Sequence, residues 1–205
     1  MKHIFGTTTG EVWQKAAAEV YLHGNAVKDG DANLKECLNI FLTIEKPLES
    51  DPILRDHADP RMIEWMRDNF LKLEPVLDWG YSYGQRFLSY DGIDQIEQII
   101  TKLKKNPESK SATITLMNPL GDQHHMPCIV AIDFKIREGK LMTTAFFRSQ
   151  DVGKKLYADV ICIGEIAKKI ADQTSCVAGD VILHIVSLHA YETDWNAISR
   201  LMSSS

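Results

Sequence analysis

Residues Met126–Asp159 constrain the chain more than any other stretch. The run reads MPCIVAIDFKIREGKLMTTAFFRSQDVGKKLYAD. Two segments in it alternate apolar and polar side chains, Cys128–Ile136 and Leu141–Phe147, with Glu138-Gly139 between them. Alternation on both sides of a tight-turn pair predicts an antiparallel hairpin. The period then changes. Over Leu156–Asp172, the side chains Val160, Ile163, Ala167, Ile170 and Ala171 cover one broad face, which predicts a long amphipathic helix. At the joins stand Cys128 behind Pro127, the cluster Arg148-Ser149-Gln150-Asp151, and Asp159. One hairpin and its exit thus hold a candidate nucleophile, an anion-binding guanidinium and two carboxylates. A domain built only for packing has little reason to group them.

The flanking sequence predicts alternating helices and strands. Glu11–His23 is a helix that sets Val12 and Ala16 beside a stripe of Trp13, Ala17, Val20 and Tyr21, with Gly24 as its stop. Cys37–Ile44 is rich in β-formers, and Pro47 and Pro52 bracket a loop after it. Asp59 caps a helix that opens with Pro60 and runs to about Leu71. Ile93–Leu103 presents Ile96, Ile99, Ile100 and Leu103 inward, and Asn106-Pro107 ends it. Ala112–Met117 alternates as a strand. Gly179-Asp180 reads as a turn into a last strand, Val181–Leu188, and Thr193 or Asp194 caps a short terminal helix. Strands that follow one another through turns, mixed with helices, favour an α+β class over a doubly wound one. No linker or repeat divides the chain, so residues 1–205 are read as a single domain.

Bulk properties narrow the function. With 205 residues the chain is long enough for one real core. Its net charge is −5 with acids and bases interleaved, which argues against wholesale binding of nucleic acid or a membrane surface. No apolar run is long enough to cross a bilayer, and MKHIFGTTTG lacks the apolar core of a signal peptide. The four cysteines show no paired metal-type spacing, so reduced thiols in a cytoplasmic protein are expected. His124-His125 with Asp122 could suggest a metal site, but adjacent loop residues point apart, and a polar loop is the plainer reading.

Taken alone, Cys128 could be a small buried hydrophobe and Arg148 a surface ion-pair partner. Their neighbours argue otherwise. A thiolate nucleophile needs positive charge nearby, which Arg148 could supply, and a guanidinium beside the Ser149 hydroxyl suits a phosphate. The ordered set Tyr83-Gly84, Gly92-Ile93-Asp94-Gln95, Pro107-Glu108-Ser109-Lys110, Pro127-Cys128, Arg148-Ser149-Gln150-Asp151-Val152 and His189-Ala190-Tyr191 resembles thymidylate synthase and its pyrimidine hydroxymethylase relatives. The resemblance spans about Trp13 to Trp195 and is closest in length to compact archaeal or phage members. It implies a large mixed β-sheet flanked by helices, with sheets packing across a homodimer. It also implies covalent catalysis on a pyrimidine nucleoside monophosphate, with 5,10-methylenetetrahydrofolate as co-substrate.

The resemblance assigns roles position by position. Cys128 matches the nucleophile that adds to C6. Arg148 and Ser149 match phosphate ligands. Asp151 matches the carboxylate that contacts the folate ring. His189 and Tyr191 match the pair on the sugar hydroxyl, and Tyr83 matches a tyrosine that assists proton removal from C5. Asp159 stands where thymidylate synthases carry an asparagine that reads the base. An amide suits uracil, whereas a carboxylate accepts from cytosine N4 and can share a proton with N3. Aspartate there is the deoxycytidylate hydroxymethylase pattern. It could also simply cap the helix beginning near Val160. A hydroxymethylase needs a carboxylate to position water, and Glu64 is the candidate, with Glu74 as its rival.

Some positions depart from the family pattern. Ser109-Lys110-Ser111 replaces Ser-Arg-Arg, leaving Lys110 to reach a neighbouring subunit's phosphate without a planar fork. Lys28-Asp29-Gly30-Asp31 lacks the N-terminal phosphate arginine, for which Lys28 could substitute. Three readings follow. The first is 5-hydroxymethylation of dCMP or CMP. The second is a compact thymidylate synthase acting on dUMP. The third is a nucleotide-binding relative without turnover, which the lost arginines motivate.

Overall fold

A computed structural model describes residues 2–76 and 80–203. Strand β1 (Lys2–Thr8) leads into helix α1 (Thr9–His23), and strands β2 (Asn25–Asp29) and β3 (Ala32–Lys46) follow. Four helices come next: α2 (Pro52–His57), α3 (Pro60–Leu71), α4 (Tyr83–Leu88) and α5 (Gln95–Lys105). Strands β4 (Thr113–Thr115), β5 (Ile129–Arg137) and β6 (Lys140–Asp151) lead to helix α6 (Leu156–Gln173). Strand β7 (Val177–Tyr191), a one-turn segment at Glu192–Asp194 and helix α7 (Trp195–Ser203) close the chain.

The strands form one mixed sheet in the order β1-β3-β7-β6-β5-β4, with β2 paired to β3. The pairs β1–β3 and β6–β7 are parallel, and the others are antiparallel. This is the expected α+β architecture. The predicted hairpin forms through Glu138 and Gly139, both at positive φ, the conformation a two-residue turn needs to match strand twist. Asp59 caps α3 and Pro60 opens it, so the missing proline N–H falls where no helical bond was due.

The helices cover one face of the sheet. Val12, Ala16, Ala17 and Val20 of α1, with Ile163, Ile166, Ala167 and Ile170 of α6, pack with Leu42, Ile44, Leu183, Ile185, Ala145 and Phe147 of the central strands. Each large side chain buried there contributes about 1.5–3 kcal/mol. On the other face, His184 of β7 stacks on Phe41 of β3, and Phe146 of β6 lies beside it. Phe5 and Phe146 remain exposed.

Several sequence expectations need correction. Pro47 and Pro52 do bracket a loop, but Pro52 also opens an unforeseen helix, α2, which Asp51 caps through Leu54 N. Gly179-Asp180 is not a turn; β7 runs through it, because pairing with β6 begins as early as Val177. Residues Thr193 and Asp194 lie within the one-turn segment before α7. Strands β1 and β2 and helix α4 were not foreseen, since short elements carry too few residues to show a period.

Candidate active site

Parallel pairing of β6 with β7 builds the site. Register sets Ser149 opposite Ser187 and Asp151 opposite His189, while β3 brings Glu36 opposite His189. Cys128 precedes β5, and its carbonyl accepts from Arg148 N at 2.9 Å, so the hairpin itself brings thiol and guanidinium together. Helix α6 leaves β6 across a short loop and carries Asp159 back over the strand ends. These elements, with α3 and α4, enclose a cavity of about 700 Å³. That size suits a small-molecule site.

The expected residues converge there. Cys128, Tyr83, Arg148, Ser149, Asp151 and Asp159 line the cavity, as do His189, Tyr191 and Lys28. Ser149 Oγ lies 3.5 Å from Cys128 Sγ, and Arg148 Nη2 lies 4.0 Å from it. The sulfur therefore has a fixed positive charge and a hydroxyl beside it. Arg148 is held in place by donating to Pro127 O at 2.9 Å and Met126 O at 2.7 Å. The guanidinium is thus set before any anion arrives. The Tyr83 hydroxyl accepts from the backbone N–H groups of Cys128 and Ile129 at 3.1 and 3.2 Å. Burial pushes its phenol well above the ordinary range, with the neighbouring Cys128 adding to the effect. Gly84 lets the start of α4 sit close against Lys72, because a Cβ there would meet Lys72 O at 2.1 Å.

Two acids differ in their environment. Asp151 Oδ1 accepts from Gly153 N at 2.9 Å and Lys154 N at 3.3 Å. Burial nonetheless raises its pKa, opposed by His189 and aided by Asp194. Asp159 is more constrained. It does not cap a helix but sits inside the first turn of α6, only 4 % exposed. Oδ2 accepts from Gln150 Nε2 at 2.8 Å, while Oδ1 is buried without a hydrogen-bond partner. Burial pushes its pKa to about 7, against the bond from Gln150 and the charge of Lys155. A carboxyl poised there can serve as acid or base near neutral pH.

Other expectations fall outside the cavity. Glu64 and Glu74 are exposed and do not line it; on α3 the residues that do are Trp65, Met66 and Asn69. The helix turns Glu64 to solvent, so it is not placed to hold water against a substrate in this cavity. Lys110 is exposed and lies away from it as well. Asp122 and the His124-His125 pair go to different places. The aspartate is buried and paired with Arg86, while the two histidines line the cavity.

The sequence reading also missed residues. Gln150, Ser187, Glu36, Asn69, Tyr81 and Lys155 all line the site. Gln150 was in the Arg-Ser-Gln-Asp cluster, and Ser187 lies two residues before His189, which is the strand period. Those two were within reach of pattern reasoning. Glu36 and Asn69 come from distant elements and leave no such trace.

Comparison with known proteins agrees with this geometry. Residues 50–205 match the family described as thymidylate synthase. A Methanosarcina mazei protein named "Putative thymidylate synthase" is 30% identical over 198 residues, covering 94% of this chain and 90% of its own. A Methanococcoides burtonii protein of the same name is 30% identical over 200 residues, covering 95% and 92%. One from Methanothermobacter thermautotrophicus is 29% identical over 200 residues, covering 89% and 90%. Family match, fold and convergent site agree: the chain belongs to the thymidylate synthase family, transferases of folate-dependent one-carbon transfer to C5 of a pyrimidine nucleotide.

Proposed function

We propose that this protein 5-hydroxymethylates a cytosine nucleotide, dCMP or CMP, using 5,10-methylenetetrahydrofolate. The observation that carries the reading is Asp159, a buried carboxyl lining the cavity with one oxygen unpartnered. An asparagine there would offer uracil an oxygen and an NH2. An aspartate accepts from cytosine N4 and, when protonated, donates to N3, whereas its ionised form offers uracil O4 no donor; an unmatched buried polar group costs about 1–3 kcal/mol.

The residues divide the work as follows. Arg148 and Ser149 hold the phosphate, and His189 and Tyr191 contact the sugar. Cys128 Sγ adds to C6, which makes C5 the nucleophile. The folate supplies a methylene group. C5 bonds to that methylene carbon, the C5 proton is lost and the carbon's bond to the folate nitrogen breaks to release tetrahydrofolate; water then adds to the exocyclic methylene, and the C6–S bond breaks to free the hydroxymethyl nucleotide. Trp65, Tyr81 and Tyr191 in the cavity walls and the Asp151 carboxyl, able to accept N–H groups, support a flat second substrate there. A second reading, methylation of dUMP, is favoured by the names of the archaeal relatives.

Tritium release from C5 separates them. Labelled dCMP is expected to lose tritium faster than labelled dUMP, and Cys128→Ser is expected to abolish release from both. Faster release from dUMP would refute the cytosine assignment. Unchanged release from Cys128→Ser would remove the thiol from the chemistry.

The exposed sheet face, with Phe5, Phe41 and Phe146, suits packing against a second copy in a homodimer. Lys110 would then serve the neighbouring site. Mixing Lys110→Ala with Cys128→Ala subunits is expected to restore part of the activity neither has alone, and no recovery means each site is complete within one chain.

A further inference from the structure

We propose, building on the cytosine reading above, that Gln150 is a positioning residue. By donating to Oδ2 of Asp159 it keeps the acid proton on Oδ1, and so decides which pyrimidine edge the carboxyl can pair with.

The need for such a residue follows from the chemistry of a neutral carboxyl. It has one donor oxygen and one acceptor oxygen. Cytosine presents an acceptor at N3 and a donor at N4. Uracil presents a donor at N3 and an acceptor at O4. With its proton on one oxygen the acid matches cytosine; with the proton on the other it matches uracil. A protonated aspartic acid free to exchange the proton between its oxygens reads both bases. Discrimination therefore needs a second group that fixes the proton.

Gln150 is placed to do this. It is 2 % exposed, lines the cavity beside Ser149, and its Nε2 lies 2.8 Å from Asp159 Oδ2. An N–H pointing at Oδ2 favours the acceptor form of that oxygen. The proton of the neutral acid then goes to Oδ1, the buried oxygen without a partner. Among the described residues no other side chain hydrogen-bonds Asp159. The charged and titratable groups around it act by charge: Lys155 just before its own helix and Cys162 on it, Asp151 on β6, Tyr83 on α4, and His189 on β7 through Asp151. Helix α3 turns Trp65, Met66 and Asn69 into the cavity, and none is charged. The near-neutral pKa of Asp159 means that the acid form is populated at physiological pH.

The test is calorimetric affinity for dCMP and dUMP, without folate, from pH 5.5 to 9. Wild type is compared with Gln150→Met, which keeps length but loses the donor, and Gln150→Asn, whose amide falls one methylene short. Both variants are expected to lose at least about tenfold of the wild-type ratio between the two affinities. The alkaline limb of dCMP binding is expected to move up by about one pH unit, because a bond that favours the carboxylate is gone. Equal weakening toward both nucleotides with an unmoved limb would overturn the proposal and leave Gln150 a packing residue. If Gln150→Met does not melt cooperatively, Gln150→Asn decides. A wild type that prefers dUMP contradicts the cytosine reading alone, since the ratio must still collapse in the variants.

Discussion

Asp122 and Asp159 are both buried aspartates, exposed by 3 % and 4 %, yet their surroundings are opposites. Asp122 is paired with the Arg86 guanidinium, itself packed between the rings of Tyr81 and Tyr90, and it also accepts from Asn118 N. Asp159 has one neutral donor, Gln150, and an oxygen with no partner. The first arrangement is what a buried charge requires to persist. The second leaves a carboxyl that burial drives toward neutrality. Asp122 ties the loop before β5 to α4, while Asp159 faces the cavity. A fold that supplies an arginine for one acid and withholds a cation from direct contact with the other keeps the second available for a ligand.

The comparison breaks most readily at Asp122. Asp122→Ala strands a buried guanidinium and is expected to cost about 3–5 kcal/mol in urea unfolding. A loss below 1 kcal/mol would mean that the pair does not anchor the loop.

At Asp159 the sign reverses. Its folded-state pKa of about 7 lies above the ordinary 3.8, so the folded protein holds a proton that the unfolded chain releases. Stability from this group is fully present below about pH 4 and is lost as pH rises through about 7. Asp159→Asn escapes that loss. It is expected to be more stable than wild type by up to about 4 kcal/mol at pH 8, with the advantage fading toward pH 4. Thermal melts at the two pH values measure it, and an equal difference at both would contradict the buried acid.

The smallest effect sharpens the contrast. Arg67 and Glu165 pair at 2.7 Å but are partly solvated, with side-chain exposures of 44% and 32%. Arg67→Ala is expected to cost under about 1 kcal/mol, less still in high salt.

Much of this was legible in the sequence, for physical reasons. Long α6 and the β5–β6 hairpin repeat their period enough times to be read. Cys128, Arg148, Ser149 and Asp151 lie close in the chain because one hairpin delivers them. His189 and Tyr191 were found through the order of motifs rather than through proximity. What escaped depended on register. That Ser149 meets Ser187 is fixed by the parallel β6–β7 ladder, and parallel pairing across a helix leaves no local mark. Spacing to Tyr83 cannot say which side of α3 faces the cavity, and there the helix presents Trp65 and Asn69 rather than Glu64. The state of Asp159 was also beyond reach, since burial and a single amide partner are properties of the folded site.

The most direct measurement is product mass. Purified protein is incubated with 5,10-methylenetetrahydrofolate and, separately, CMP, dCMP, UMP and dUMP, and the nucleotides are weighed by mass spectrometry. The account predicts a hydroxymethyl mass increment on a cytosine nucleotide and none on dUMP. A methyl increment on dUMP, with both cytosine nucleotides unchanged, would contradict it.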